Sequence, residues 1–284
     1  MEVCREDGMV RIKNKMTEIR RKRTAPIINN YYLNCEQDKE IFALFGQDTV
    51  VFWDDDRGVR RAYFYSSNPE ELVALLSQVP EGTIIDYLTR TKGELQNLFE
   101  SVGWRQLYEM HRMTTKLSIE EAAAMEERYH LFDLTTYREE NVRPAVETDC
   151  DIVYNKLLEV FDPRESHLCT KEELLEYIRK RWVTVYYEDG SLLGLQIFLV
   201  EHRQFYGYQI WTEAGAEGYY SLNKMSRKLF FEFIGEPIQI YAPGYSWVNV
   251  KNRKSMRLVQ FFGQKFDGLY DFVYGKMSEE LGHS

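Results

Sequence analysis

No apolar run in the 284 residues approaches the roughly 20 that a membrane-spanning helix needs, and the N-terminus has no apolar core like that of a signal peptide. Both absences lead to the expectation of a cytoplasmic protein with no membrane partner. Cysteine is sparse: Cys4, Cys35, Cys150 and Cys169 are widely scattered, with no CxxC and no histidine at ligand spacing. Neither a disulfide framework nor a metal centre is expected. Positive charge is in deficit, with 36 Lys and Arg against 45 Asp and Glu and a net charge of -9. A surface of that sign repels nucleic acid and anionic membranes, which argues against a general nucleic-acid binder. What is present is 44% hydrophobic and 29% charged residues, the balance of a globular protein.

Such a chain buries one large core or two ordinary ones, and internal echoes favour two. Two stretches, from Gly93 to Met113 and from Ser246 to Tyr274, both read as a helix ended by a glycine (Gly103, Gly263) and followed by a strand. Val50 to Asp56 likewise resembles Val183 to Asp189. The echoes imply a duplicated fold: a shortened first domain over 1–117, a connecting helix and linker over 118–147 that opens on the capping box at Ser118, and a second domain over 148–284.

Within the first domain, Met9, Ile12, Met16 and Ile19 share a helical face opposite a basic one running to Arg23. That basic face is either solvated or a dock for a phosphate-rich partner. A hairpin follows over Val50–Trp53 and Arg61–Tyr65, then a helix capped by Asn68, then a strand over Thr83–Leu88. The second domain opens with helices from Asp151 and from the Thr170 capping box. Strands over Val183–Tyr187, Leu192–Glu201 and Phe205–Trp211 come next, then a glycine-bearing loop, an apolar helix and a strand over Ile238–Tyr241.

Two helices, a three-strand meander, a glycine-bearing loop, a helix, a strand and then Trp247-Val248-Asn249, Asn252 and Gly263 around a further helix form an order that resembles the GNAT superfamily of acyl-CoA-dependent N-acyltransferases. The resemblance covers about residues 148–276 as a full domain and the first half as a shortened one. It implies an α/β (α+β) architecture of two GNAT-like domains, each a mixed, mostly antiparallel sheet flanked by helices.

The same resemblance implies acetyl-CoA or another acyl-CoA as co-substrate and a small-molecule or peptide amine as acceptor. The CoA pyrophosphate would meet the backbone around Gly215, Ala216, Gly218 and Tyr219, and Asn252 would face the pantetheine arm. That loop departs from the family pattern Arg/Gln-x-x-Gly-x-Gly/Ala: no Arg or Gln precedes its glycines, and Glu213 and Glu217 bring negative charge. A backbone N–H near Ile210 or Trp211 would meet the thioester oxyanion, in a gap between the strands ending near Trp211 and Tyr241. The family's tyrosine acid, seven residues past the capping asparagine, is here Val259, which leaves Tyr241, Tyr245 and Tyr270 as nearby phenols. A general base needs hydrogen-bond reach and a shifted pKa. Glu201 and Glu213, at the ends of adjacent strands, are the expected carboxylate pair, with His167 as the imidazole candidate. Two alternatives keep the fold: a catalytically inactive ligand-binding protein, and an aminoacyl-tRNA-dependent transferase that contacts RNA through Arg20 to Arg23.

Overall fold

The computed structural model describes residues 2–4, 8–22, 25–31, 40–115, 120–121, 124, 141–236 and 243–277. In chain order the first elements are β1 (Glu2–Cys4), α1 (Gly8–Lys22), β2 (Ile28–Asn29), β3 (Ile41–Phe45), β4 (Thr49–Asp56), β5 (Val59–Ser66), α2 (Pro69–Leu76), β6 (Ile84–Thr89), α3 (Gln96–Glu100) and β7 (Trp104–Thr115). They are followed by β8 (Val142–Pro144), α4 (Cys150–Val160), α5 (Lys171–Arg179), β9 (Val183–Glu188), β10 (Ser191–Glu201), β11 (Gln204–Thr212), α6 (Gly215–Ile234), β12 (Gly244–Asn249), α7 (Arg253–Phe261) and β13 (Lys265–Lys276). Of the expected helix from Ser118 only residues 120, 121 and 124 are described, all helical; most of the linker, the expected strand Ile238–Tyr241, Cys35 and Arg23 lie outside the described residues. Among the described residues no helix is long and apolar enough to cross a membrane.

The chain divides into two compact units, Met1–Met110 with Pro163–His167 and Leu269–Ser284, and His111–Asp162 with Leu168–Gly268. In unit 1 the strand order is β1-β3-β4-β5-β6-β13-β7, with β2 added to β5. The sheet is covered on both faces, so the middle of β4 is a continuous apolar run, Val50–Trp53, with no polar residue alternating in it. Val50 and Phe52 face Ile12, Met16 and Ile19 of α1, while Val51 and Trp53 face Leu72, Leu76 and Phe99 of α2 and α3. The spacing of the α1 residues is what puts all of them on one stripe. Asn68 caps α2, accepting from the amides of Glu70 and Glu71 at 3.1 and 3.2 Å.

Ile41–Phe45 forms a strand, β3, that the sequence pattern does not predict, so unit 1 also holds a three-strand meander before its helix. β4 therefore corresponds by topology to β10, not to β9, and the echo between Val50–Asp56 and Val183–Asp189 joins strands one place apart. Its physical origin is turn chemistry. Arg57-Gly58 and Asp189-Gly190 both have positive φ at each residue, the two-residue hairpin geometry that matches strand twist.

In unit 2 the order is β7-β12-β11-β10-β9-β8. Val153 and Leu157 of α4, with Leu174 and Ile178 of α5, pack on Val183, Val185, Leu195 and Ile197. On the opposite face Leu229 and Phe230 of α6 meet Phe198 and Phe205. The Thr170 capping box forms as predicted, with Glu173 N–H donating to Thr170 Oγ1 at 3.1 Å and Thr170 N–H donating to Glu173 Oε2 at 2.7 Å. The strands that close the two echoes are distributed unexpectedly. Residues 269–276 of β13 lie in unit 1, antiparallel to β6 from Tyr270↔Thr89 to Gly275↔Ile84, whereas residues 111–115 of β7 belong to unit 2.

Candidate functional site

β11 and β12 are parallel neighbours that pair only at their first residues: Phe205↔Gly244, Tyr206↔Tyr245 and Gly207↔Ser246. Beyond Gly207 and Ser246 no ladder joins them. The divergence has a local cause. On its other edge β11 is bulged, because Ile197 pairs with Gln209 and the next residue, Phe198, pairs with Gly207, which leaves Tyr208 as the extra residue. A bulge bends its strand and sharpens the twist, so β11 swings away from β12 where the pairing stops. The result is a V-shaped slot, closed at Gly207 and open toward Thr212 and Asn249.

The closed end depends on close backbone approach. A Cβ at Gly244 would stand 1.8 Å from Phe205 O, and one at Gly207 would stand 2.5 Å from Ser246 Oγ. Glycine inside a strand is the sequence signal for such a junction, and Gly207 carries it. The slot's walls are two strand edges that no ladder joins beyond Gly207 and Ser246. They are a template for an extended ligand that has amides of its own.

Unit 1 contains the equivalent place, and it is filled. β5 and β6 are parallel and pair only at Arg61↔Ile84. Into the divergence runs β2, paired with β5 at Ile28↔Ser66 and Asn29↔Tyr65. Asn30 follows it. Its amide nitrogen donates to Ala62 O and Asp86 O, each at 3.0 Å, and its side-chain oxygen accepts from Phe64 N–H at 2.7 Å. One buried carboxamide thus satisfies both edges. At the end of β5, Pro69 takes the first position of α2 and the Asn68 side chain takes the next two amides, leaving little for an anion. Among the described residues no strand enters the slot of unit 2, whereas β2 and Asn30 fill that of unit 1.

The expected site residues fall as follows. Ile210 and Trp211 pair with β10 on the stretch of β11 that β12 does not join, and the ring of Trp211 has Lys156 Nζ 4.9 Å from its centre. Gly215 opens α6 with φ 63°, and Ala216 follows it. Gly218 is a packing glycine, since a Cβ there would lie 2.5 Å from Thr212 Oγ1 and 2.6 Å from Ala214 Cβ. Tyr219 is buried, with its ring 5.5 Å from that of Phe262. Asn252 caps α7, its side-chain oxygen accepting from Ser255 N–H at 3.0 Å. Val259 is buried with Met113 and Val248. Tyr241 lies outside the described residues, among which the parallel neighbour of β11 is β12.

The expected carboxylate pair does not form. β10 and β11 are antiparallel, with Glu201 opposite Gln204 and Thr212 opposite Gly194. Glu201 and Glu213 therefore sit at opposite ends of the hairpin, roughly 25 Å apart along the strands. Glu201 instead receives a short hydrogen bond from the Tyr245 hydroxyl. The Tyr245 ring stacks on Tyr206 with centroids 4.6 Å apart, and the Arg112 guanidinium lies 5.8 Å from its centre. Burial, then the Glu201 hydrogen bond and charge, push the Tyr245 phenol above its ordinary range, so it holds its proton at any physiological pH. Glu201 and Tyr245 are thus brought together at the closed end of the slot.

His167 is elsewhere, in unit 1, within a charge cluster that sequence patterns do not reveal. Its Nδ1 lies 3.8 Å from Asp56 Oδ2 and its Nε2 lies 3.6 Å from Asp86 Oδ1. Arg61, 2% exposed, reaches Asp86 Oδ2 at 2.6 Å and donates to Pro163 O at 2.8 Å. Burial works against the imidazolium, but the charge of Asp86 and the close approach of both aspartates outweigh it and raise His167 to about 9. Burial also opposes the Asp86 carboxylate, which Arg61 and His167 nevertheless hold well below the usual range. Asp271 is driven upward by burial and by Asp86. His167 is a structural cation in this setting, not a base at the slot. A surface depression lined by Glu100, Gly103, Trp104, Arg105 and Gln106 contains none of the expected site residues.

No protein-family model matches the sequence, and no curated protein does. Solved structures do. A GNAT-family acetyltransferase from Colwellia psychrerythraea is 11% identical, with 98% of this chain and 99% of that one covered at a TM-score of 0.52. A GCN5-related N-acetyltransferase from Sphaerobacter thermophilus is 12% identical, with 86% and 82% covered at a TM-score of 0.52. At such identities the likeness is one of fold: the chain has the GNAT fold, a mixed, mostly antiparallel sheet flanked by helices.

Proposed function

We propose that unit 2 is an N-acyltransferase that takes acetyl or another acyl group from acyl-CoA and passes it to a small-molecule or peptide amine. The supporting observation is the slot between β11 and β12, which begins beside the Tyr208 bulge and along which no ladder joins the two strands. Those edges suit the amide-bearing pantetheine arm, and the donor supplies an activated carbonyl on a thiol leaving group. Strand alternation turns the Trp211 N–H toward Leu195 of β10, as the Glu213 N–H donates to Leu193 O in the same register, so of the two expected residues Ile210 is the one whose amide would meet an oxyanion. At the closed end Tyr245 holds a proton on its hydroxyl, suited to the departing sulfur, and Glu201 accepts from that hydroxyl and can take up the proton the amine loses.

Calorimetry with acetyl-CoA, free CoA and longer acyl-CoAs tests the reading. Micromolar to sub-millimolar binding at one site per chain is expected; no binding at millimolar ligand would remove it. A second reading, acyl-thioester binding without turnover, draws on Val259, buried where the resemblance places the catalytic tyrosine. Turnover with any amine, lost on changing Tyr245, would exclude it.

A further inference from the structure

The mouth of the slot is electrically lopsided. On one jaw, where β11 runs into α6, Glu213 and Glu217 are both exposed. On the other, where β12 turns into α7, Lys251, Arg253, Lys254 and Arg257 are all exposed, and none has an ion-pair partner among the described residues. The turn that displays them is well fixed: Lys251 N–H donates to Asn249 Oδ1 at 2.9 Å, Asn252 N–H to Asn249 O at 2.9 Å, and Arg253 N–H to Lys251 O at 3.0 Å.

This arrangement works against stability. Arg253 and Lys254 occupy the first turn of α7, which carries no acid, although the positive end of a helix favours acids and disfavours cations. Arg253 and Arg257 stand four residues apart on that helix, a like-charge pair that also works against it. A protein of net charge -9 thus gathers unpaired cations at a site where folding alone would choose the opposite sign. Breaches of a local rule with no compensating contact are expected at binding sites.

We infer that the β12–α7 turn is the phosphate-binding jaw of the slot, with Lys251, Arg253 and Lys254 holding the phosphates of a coenzyme A thioester. The glycine loop at the start of α6 serves packing instead, through Gly218 against Thr212. The acids Glu213 and Glu217 then repel phosphate from the wrong jaw and orient the nucleotide toward α7. The inference rests on the acyl-CoA reading of the slot and assigns it a polarity.

The test uses the full chain and its Lys251→Gln/Arg253→Gln/Lys254→Gln variant, titrated calorimetrically with CoA and with S-acetylpantetheine, which has no phosphate. All three substitutions are at exposed positions. CoA affinity is expected to fall about thirtyfold or more in the variant, with S-acetylpantetheine affinity unchanged within about twofold. Rising salt should weaken CoA binding in the native protein and do so less in the variant. Glu217→Gln should tighten CoA binding, by about twofold. Unchanged CoA affinity in the triple variant, equal losses for both ligands, or weaker binding in Glu217→Gln would each overturn the inference while leaving the slot reading in place. A native protein that binds neither ligand would remove both.

Discussion

His167 Nε2 lies 3.6 Å from Asp86 Oδ1, and the same ring reaches toward Asp56 at 3.8 Å, so one imidazolium serves two aspartates of unit 1. Its pKa, raised to about 9, makes unit 1 stability depend on pH in a defined direction. A cation whose folded value exceeds the ordinary value of about 6.5 contributes fully below that ordinary value and loses its contribution as pH climbs through the folded one. His167→Gln should therefore lower the melting temperature by a few degrees, about 3–6 °C, at pH 6. By pH 10 the two proteins should melt nearly together. A difference that stays constant from pH 6 to 10 would mean that the ring acts by packing and not by charge.

Asp271 belongs to the same cluster and has the opposite problem. Burial and the neighbouring Asp86 raise its pKa, so its ionised form is penalised in the folded protein. A carboxyl with a raised folded pKa contributes best below its ordinary value of about 3.9 and costs stability as pH rises toward neutrality. Asp271→Asn should then stabilise the chain more at pH 8 than at pH 5. Thermal unfolding at both values decides it; a larger gain at pH 5 would reverse the sign of the argument.

The junction of β11 and β12 tests the slot itself. Gly244→Ala would drive a methyl group to within 1.8 Å of the Phe205 carbonyl oxygen, a main-chain atom with no rotamer to escape into. The expected loss is at least about 3 kcal/mol, measured by urea denaturation, together with loss of acyl-CoA binding. Gly190→Ala is the control: its φ is 80°, but no atom lies near its Cβ position, so only the backbone strain of about 1 kcal/mol should appear and binding should survive. Equal effects at the two glycines would show that the junction is not tightly built.

What the sequence discloses and what it hides divide along a physical line. Caps and turns are local chemistry. Asn68, Thr170 and Asn252 cap helices as their spacing predicts, and Gly103 and Gly263 adopt the positive φ expected after a helix. Strand direction and partner choice are not local. Glu201 and Glu213 look adjacent when strands are read as neighbours, yet the antiparallel register separates them, and the same register delivers Glu201 to Tyr245. Nor does any pattern around His167 announce Asp56, Asp86 or Arg61, which arrive from other strands. Asn30 sits in an unremarkable stretch, and only the divergence of β5 from β6 explains why a carboxamide is buried there.

That carboxamide sets the number of donor sites. Asn30 and β2 occupy the only place in unit 1 that matches the unit 2 slot among the described residues, so each chain should bind one acyl-CoA, not two. Asn30→Ala removes three hydrogen bonds and leaves buried peptide groups at Ala62, Phe64 and Asp86 unpaired, at a cost of about 2–4 kcal/mol. Calorimetric stoichiometry should read one for the native protein and remain one in the variant, whose melting temperature falls. Two equivalent sites in the native protein would contradict the closure of the unit 1 slot.

The Tyr245–Glu201 contact makes the sharpest claim about chemistry. Tyr245→Phe keeps the ring that stacks on Tyr206 and lies beneath Arg112, so the closed end should keep its shape and acyl-CoA affinity should change by no more than about twofold. Only the proton is lost. If that hydroxyl protonates the departing thiol, kcat falls about a hundredfold while the KM for the donor holds. Glu201→Gln keeps an acceptor for the hydroxyl but cannot take up a proton, so its loss should be greatest at low pH, where the amine arrives protonated, and shrink as pH rises toward the amine's own pKa. A Tyr245→Phe enzyme with native kcat would leave the phenol a structural partner of Glu201, and the proton would have to come from solvent.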